Sequence, residues 1–151
     1  MSARERLSAL GVSLPAVTPP LAAYVPAVRT GNLVYTSGQL PLIGKDLPHS
    51  GKVGDRVTPE QATAAARVCA LNALAAVDAL VGLDAVTQVV KVIGFVASAP
   101  GFTGQPAVVN GASEFLGEVF GEAGAHARSA VGVAELPLDA PVEIELIVEV
   151  A

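Results

Sequence analysis

An arginine stands nearly alone in the C-terminal part of this chain. After Lys91, Arg128 is the only lysine or arginine, set in the run Ala127-Arg128-Ser129-Ala130-Val131-Gly132-Val133. The run reads as a strand. Alternation puts Arg128 on one face with the small residues Ala130, Gly132 and Ala134, and Val131 and Val133 on the other. A guanidinium offers a rigid fork of donors that grips a carboxylate with two hydrogen bonds, and small neighbours leave room for one. The plainer alternative is a charged residue on a solvated strand face.

Glutamates supply the second chemistry. In Pro141 to Val150, Val142, Ile144, Leu146, Val148 and Val150 form one face, and Glu143, Glu145, Ile147 and Glu149 the other. A carboxylate in a partly apolar cleft has its pKa raised toward neutrality, which suits general acid–base work. Glutamates on the wet face of an antiparallel strand are the ordinary case, and at least two of the three fit it. Residues 135–140, with Pro137 and Asp139, read as the connection of a hairpin laying the arginine strand beside the glutamate strand.

Other reactive side chains offer less. Cys69 falls inside a predicted helix with nothing nearby to lower its pKa, so it reads as a buried structural thiol. His49 and His126 lie far apart without Cys or carboxylate at ligand spacing, which predicts no metal site. No phosphate-loop spacing occurs in residues 39–57.

The elements that must position these groups follow from end signals and periodicity. Residues 4–10 carry a short helical pattern within an N-terminal extension, residues 1–20, and residues 21–151 form the domain. A strand is expected at 23–29 and another at 33–37, followed by a loop to Val57. Thr58-Pro59-Glu60-Gln61 is a capped helix start, with Pro59 at the first helical position. That helix runs to Val81 and stops at Gly82, with Thr63 and Arg67 on its wet side. Residues 86–97 predict a central strand covered on both faces. A second helix spans 106–120, anchored by Phe115, Val119 and Phe120 and closed by Gly121 and Gly124. Two helices on one face of a mixed sheet make an α+β sandwich.

Composition narrows the function classes. The 151 residues suit one domain. Charged residues make up 15%, against about 25% in a typical domain, and apolar residues 52%. So little polar surface predicts a buried subunit interface. The net charge is −5 and the nine basic residues are scattered, which disfavours nucleic acid as the main partner. The uncharged stretch 92–113 is broken by Pro100, Pro106 and four glycines, so no membrane span is expected there. With no signal-like h-region and a single cysteine, the protein reads as cytoplasmic.

Four blocks carry a family resemblance. Residues Ala127 to Pro137 followed by Val142-Glu143-Ile144-Glu145 resemble the signature of the RidA/YjgF family, also called the reactive-intermediate deaminase or L-PSP family. Tyr24-Val25, the run Gly31 to Pro41, and Val109-Asn110 leading to Phe115 and Phe120 match in the same order. The resemblance implies a chorismate-mutase-like fold assembled as a homotrimer with clefts between subunits. It implies hydrolysis of 2-imino and 2-enamino acids, such as 2-aminoacrylate, to 2-oxo acids and ammonia, with no cofactor. By the same resemblance Arg128 binds the carboxylate and Glu143 activates water, while Tyr24, Ser37 and Asn110 line the substrate with the backbone of Ala130; Gly38 follows Ser37 where a backbone N–H can approach a ligand closely. Familiar members carry Cys where this chain has Ala130, so only its backbone takes part; loop 39–57 is longer than usual. Alongside deamination stand a trimer that binds a small carboxylate metabolite without catalysis, and an endoribonuclease.

Overall fold

Thr58 and Gln61 close the box that their spacing predicts. In the computed structural model, which describes residues 1–17 and 23–151, Gln61 N donates to Thr58 Oγ1 at 3.1 Å and Thr58 N to Gln61 Oε1 at 3.0 Å. The helix they open is the second of three. In chain order the elements are α1 (Ala3–Ala9), β1 (Ala27–Thr30), β2 (Leu33–Thr36), α2 (Pro59–Val81), β3 (Val86–Ala97), α3 (Gln105–Phe120), β4 (Ala127–Val133) and β5 (Val142–Val150). The expected strand at 23–29 forms only as the shorter β1.

The five strands make one mixed sheet in the order β1-β2-β5-β3-β4. All neighbours are antiparallel except β3 and β4, which run parallel. The expected hairpin between the arginine and glutamate strands does not form. Because α3 returns the chain to the starting end of β3, β4 joins parallel at the edge of β3. The next strand, β5, then runs between β2 and β3. Residues 135–140 therefore reverse the chain across the end of β3 rather than closing a hairpin.

The core lies between one sheet face and the helices α2 and α3. Val34, Val89, Val92, Ile144 and Leu146 meet Leu74, Phe115 and Leu116 there, all buried. The helices approach closely: a Cβ on Gly111 would fall 2.0 Å from the Thr63 carbonyl oxygen. Arg67 stacks on the Phe115 ring at 4.5 Å and pairs with Glu118 at 3.1 Å. Thr63 and Arg67 thus mark the rim of the α2–α3 seam, where the Arg67 side chain stays 41% exposed. Strand β3 is interior, next to the edge strand β4, but covered on one face only. Val92 and Val96 are buried, while Lys91, Ile93 and Phe95 on the opposite face are partly exposed.

The N-terminal segment packs onto this body. Leu7 of α1 joins the core, Arg4 pairs with Asp78, and the Arg4 amide donates to Asp84 Oδ1 at 3.1 Å. The boundary expected between residues 20 and 21 lies outside the described residues. Asn72 pins the long loop by donating to the Leu40 and Leu42 carbonyls, each at 3.0 Å.

Candidate functional site

Arg128 and its strand mates Ala130 and Gly132 face the helix layer at the edge of the sheet, since Arg128 lies beside the buried Val92. The guanidinium meets the first turns of α3. Arg128 Nη1 donates to Asn110 Oδ1 at 2.7 Å and to Ser113 Oγ at 3.2 Å, and Nη2 donates to the Pro106 carbonyl at 3.3 Å. Asn110 and Ser113 reach one guanidinium because residues three apart share a helix face. Three of five N–H donors are so used, leaving Nε–H and one Nη2 hydrogen. Arg128 makes no ion pair among the described residues. Its acceptors are neutral, and its charge stays uncompensated.

The space expected beside Arg128 is partly filled. Ala130 packs on the core, and a Cβ on Gly132 would lie 2.8 Å from Gln105 Nε2 and 3.0 Å from Ser98 Oγ. The small residues admit the start of α3 as much as they leave a cleft.

Glu143 lies elsewhere. Pairing of β2 with β5 stops at Tyr35 opposite Ile147 and resumes at Gln39 opposite Ile144. Three residues on one side then face two on the other, so one is extra and the strand bulges. The Thr36 hydroxyl turns inward and accepts from the Leu146 amide at 3.0 Å. Gly38 is pushed against Glu143: a Cβ there would stand 2.8 Å from the Glu143 carboxyl carbon. A methyl there would push the carboxyl end of Glu143 aside. Ser37 Oγ donates to the Val25 carbonyl at 2.6 Å, tying this patch to the segment that carries the exposed Tyr24. Half-burial, and then the charge of Glu145, raise the Glu143 carboxyl from the ordinary glutamate value.

The sites expected from sequence therefore fall into two patches: Arg128, Asn110 and Ala130 at the β4 edge of the sheet, and Tyr24, Ser37, Gly38 and Glu143 around the β2–β5 bulge. Arg128 is level with Val92 and Leu146, three residues from Glu143 along β5 and two strands away. Their backbones are roughly 14 Å apart, and the side chains leave opposite faces. Within one chain they cannot hold one small molecule.

A family model described as Endoribonuclease L-PSP matches residues 16–150. The chain belongs to the RidA/YjgF L-PSP family. It is 37% identical over 139 residues to a 2-iminobutanoate/2-iminopropanoate deaminase of Dermatophagoides farinae, covering 91% of this chain and 93% of that protein. Among solved structures, the Agrobacterium tumefaciens protein Atu1372, of unknown function, superposes with a TM-score of 0.91 at 46% identity, over 99% of this chain and 92% of that one. The YjgF gene product of E. coli gives 0.65 at 33% identity, over 88% and 92%. The α+β fold, with its mixed sheet and helices on one face, is that of the family.

Two residues of the arginine patch escaped the sequence. His126 Nε2 is 2.8 Å from Ser113 Oγ, and Nδ1 is 2.6 Å from the Gly124 carbonyl. Their signal was present in the spacing, with Ser113 one helical turn after Asn110 and His126 two residues before Arg128. Cys69 is buried with its thiol 3.6 Å from the Val142 carbonyl, and burial pushes its pKa well up, so it is no nucleophile.

Proposed function

We propose that this L-PSP protein hydrolyses 2-imino and 2-enamino acids to 2-oxo acids in clefts between the subunits of a homotrimer. The observation that carries this reading is Arg128: a half-buried guanidinium held by neutral acceptors alone, with the number of free donors that one bidentate carboxylate takes up. The trimer is supported by the sheet face opposite the helices. Val28, Tyr35 and Val131 on that face are 52%, 43% and 45% exposed, apolar side chains set among Glu145, Glu149 and Lys91 on a face that suits contact with a second copy. Docking copies around it would bring the Glu143 patch of one chain to the Arg128 patch of its neighbour.

In the cleft, Arg128 anchors the substrate carboxylate and so fixes the imine carbon. Glu143 takes a proton from water, whose oxygen attacks that carbon and opens the C=N bond to a carbinolamine. Returned to nitrogen, that proton completes the carbinolamine; Glu143 then moves the hydroxyl proton to nitrogen, the C–N bond breaks, and ammonia leaves as the carbonyl forms. Imine and water become 2-oxo acid and ammonia, with no redox change. Because the uncatalysed reaction is already facile, orientation and one positioned base suffice.

The test couples an amino-acid oxidase, which releases imine, to the purified protein with semicarbazide as the competing trap. Faster 2-oxo acid and ammonia release with less semicarbazone is expected; an unchanged semicarbazone yield overturns the enzyme reading. Ala130, where familiar members carry Cys, favours a second reading in which the cleft binds a 2-oxo acid without turnover. That reading predicts 2-oxobutanoate binding with no effect in the assay. RNA fits the site less well, since gripping a phosphate backbone takes many cations and the net charge is −5.

A further inference from the structure

We propose that His126 and Ser113 are positioning residues that hold the Arg128 fork for a substrate carboxylate, through a hydrogen-bond relay of fixed direction. The inference rests on the carboxylate role given above to Arg128. The Gly124 carbonyl only accepts, so the 2.6 Å contact places the imidazole hydrogen on Nδ1. With the ring neutral, Nε2 is then an acceptor, and at 2.8 Å it takes the Ser113 hydroxyl hydrogen. That turns the Ser113 lone pairs toward Arg128 Nη1, 3.2 Å away. Without the imidazole, a mid-helix serine bonds back to the carbonyl one turn earlier, here Val109, and directs its oxygen away from the guanidinium.

The relay also anchors Arg128 across two elements. Asn110 and Pro106 hold the guanidinium from the first turns of α3, and Ser113 extends that hold one turn onward. His126 ties Ser113 to the turn that follows α3 and leads directly into β4, the strand carrying Arg128. Helix and strand are thus locked in register at the guanidinium. An arginine side chain has many rotamers, and fixing it in advance removes an ordering cost from ligand binding.

The test measures 2-oxobutanoate binding by calorimetry for wild type, Arg128→Ala, Ser113→Ala, Ser113→Thr, His126→Leu and the Ser113→Ala/His126→Leu pair. Ser113→Ala and His126→Leu should each weaken binding about three- to tenfold. The double variant should be no worse than the worse single one, because both cut the same relay. Ser113→Thr keeps the hydroxyl and should restore most of the affinity. In the imine assay KM should rise with kcat nearly unchanged, the sign of a lost binding contact. Nitrogen NMR of the two histidines should show the His126 hydrogen on Nδ1. If Arg128→Ala leaves binding intact, the carboxylate role itself is wrong. If Arg128→Ala abolishes binding while His126→Leu and Ser113→Ala bind like wild type, or if their effects add fully, the relay alone is overturned.

Discussion

Among the described residues Arg128 has acceptors but no carboxylate, as has Arg29, but Arg29 is exposed and Arg128 is partly buried. Arg4, Arg56 and Arg67 each meet an Asp or Glu, and Lys52 meets Glu135. If the free donors of Arg128 take a substrate carboxylate, Arg128→Ala should weaken 2-oxobutanoate binding by about 1.5–3 kcal/mol, roughly ten- to hundredfold. Arg128→Lys should bind nearly as poorly, because an ammonium cannot hold Asn110, Ser113 and Pro106 together while presenting two parallel donors. Calorimetry on both variants checks this, and wild-type affinity in either would return Arg128 to an ordinary edge charge. At Glu143 the sign concerns pH. A general base works ionised, so kcat/KM should fall as the medium is acidified through its pKa, and the upward shift moves that fall to higher pH than an unperturbed glutamate would give. Burial is the larger cause and the charge of Glu145 the smaller. Glu145→Gln should therefore keep most of the rate and move the acidic limb of the profile to lower pH without restoring an ordinary value. Glu143→Gln should instead lower turnover by roughly 10²–10⁴-fold at every pH. A limb that stays in place in Glu145→Gln would detach Glu143 from the profile.

Elements were legible where local chemistry decides them. Thr58, Pro59, Gln61 and Gly82 bound α2 because caps are short-range devices, and the five-residue apolar alternation of β5 survives any topology. The placement of β4 was hidden for the opposite reason. Adjacent strands usually pair, but α3 had already committed the chain to a crossover, and the preference of β5 for the β2–β3 gap depends on contacts far apart in sequence. Thr63 and Arg67 looked wet by residue type. They lie at the rim of a seam because Gly111 lets the α3 backbone come within contact of α2, and one glycine among alanines does not announce that. The seam gives a test on one helix with opposite signs. Gly111→Ala puts a methyl 2.0 Å from a backbone oxygen that cannot rotate away, so the helices must part, at about 1–3 kcal/mol. Gly117→Ala meets nothing within 4 Å and should gain up to about 1 kcal/mol from better helix propensity. Urea unfolding at one fixed protein concentration reads both, and a stabilised Gly111→Ala would refute the close crossing.

At the scale of the whole molecule, the separation of the two patches is the fact to explain. The sequence named both, since Arg128, Glu143, Ser37, Gly38 and Asn110 each sit in a recognisable run, but it could not show that β3 lies between their strands. If deamination needs both patches, each working cleft must take its arginine from one chain and its glutamate from another. Light scattering should then give about three times the 15.1 kDa chain mass. Subunit mixing is sharper. Homotrimers of Arg128→Ala carry a defect in every cleft, and so do homotrimers of Glu143→Gln. In an equal mixture unfolded and refolded together, a cleft that draws Arg128 from a Glu143→Gln chain and Glu143 from an Arg128→Ala chain is intact. Random assembly makes about one quarter of the clefts so, and the inactive preparations should regain about one quarter of wild-type imine hydrolysis on mixing. A monomer in solution, or a mixture as inactive as its parents when each variant still folds, would mean that no cleft is shared, and with it the assignment of Arg128 and Glu143 to one reaction would fall.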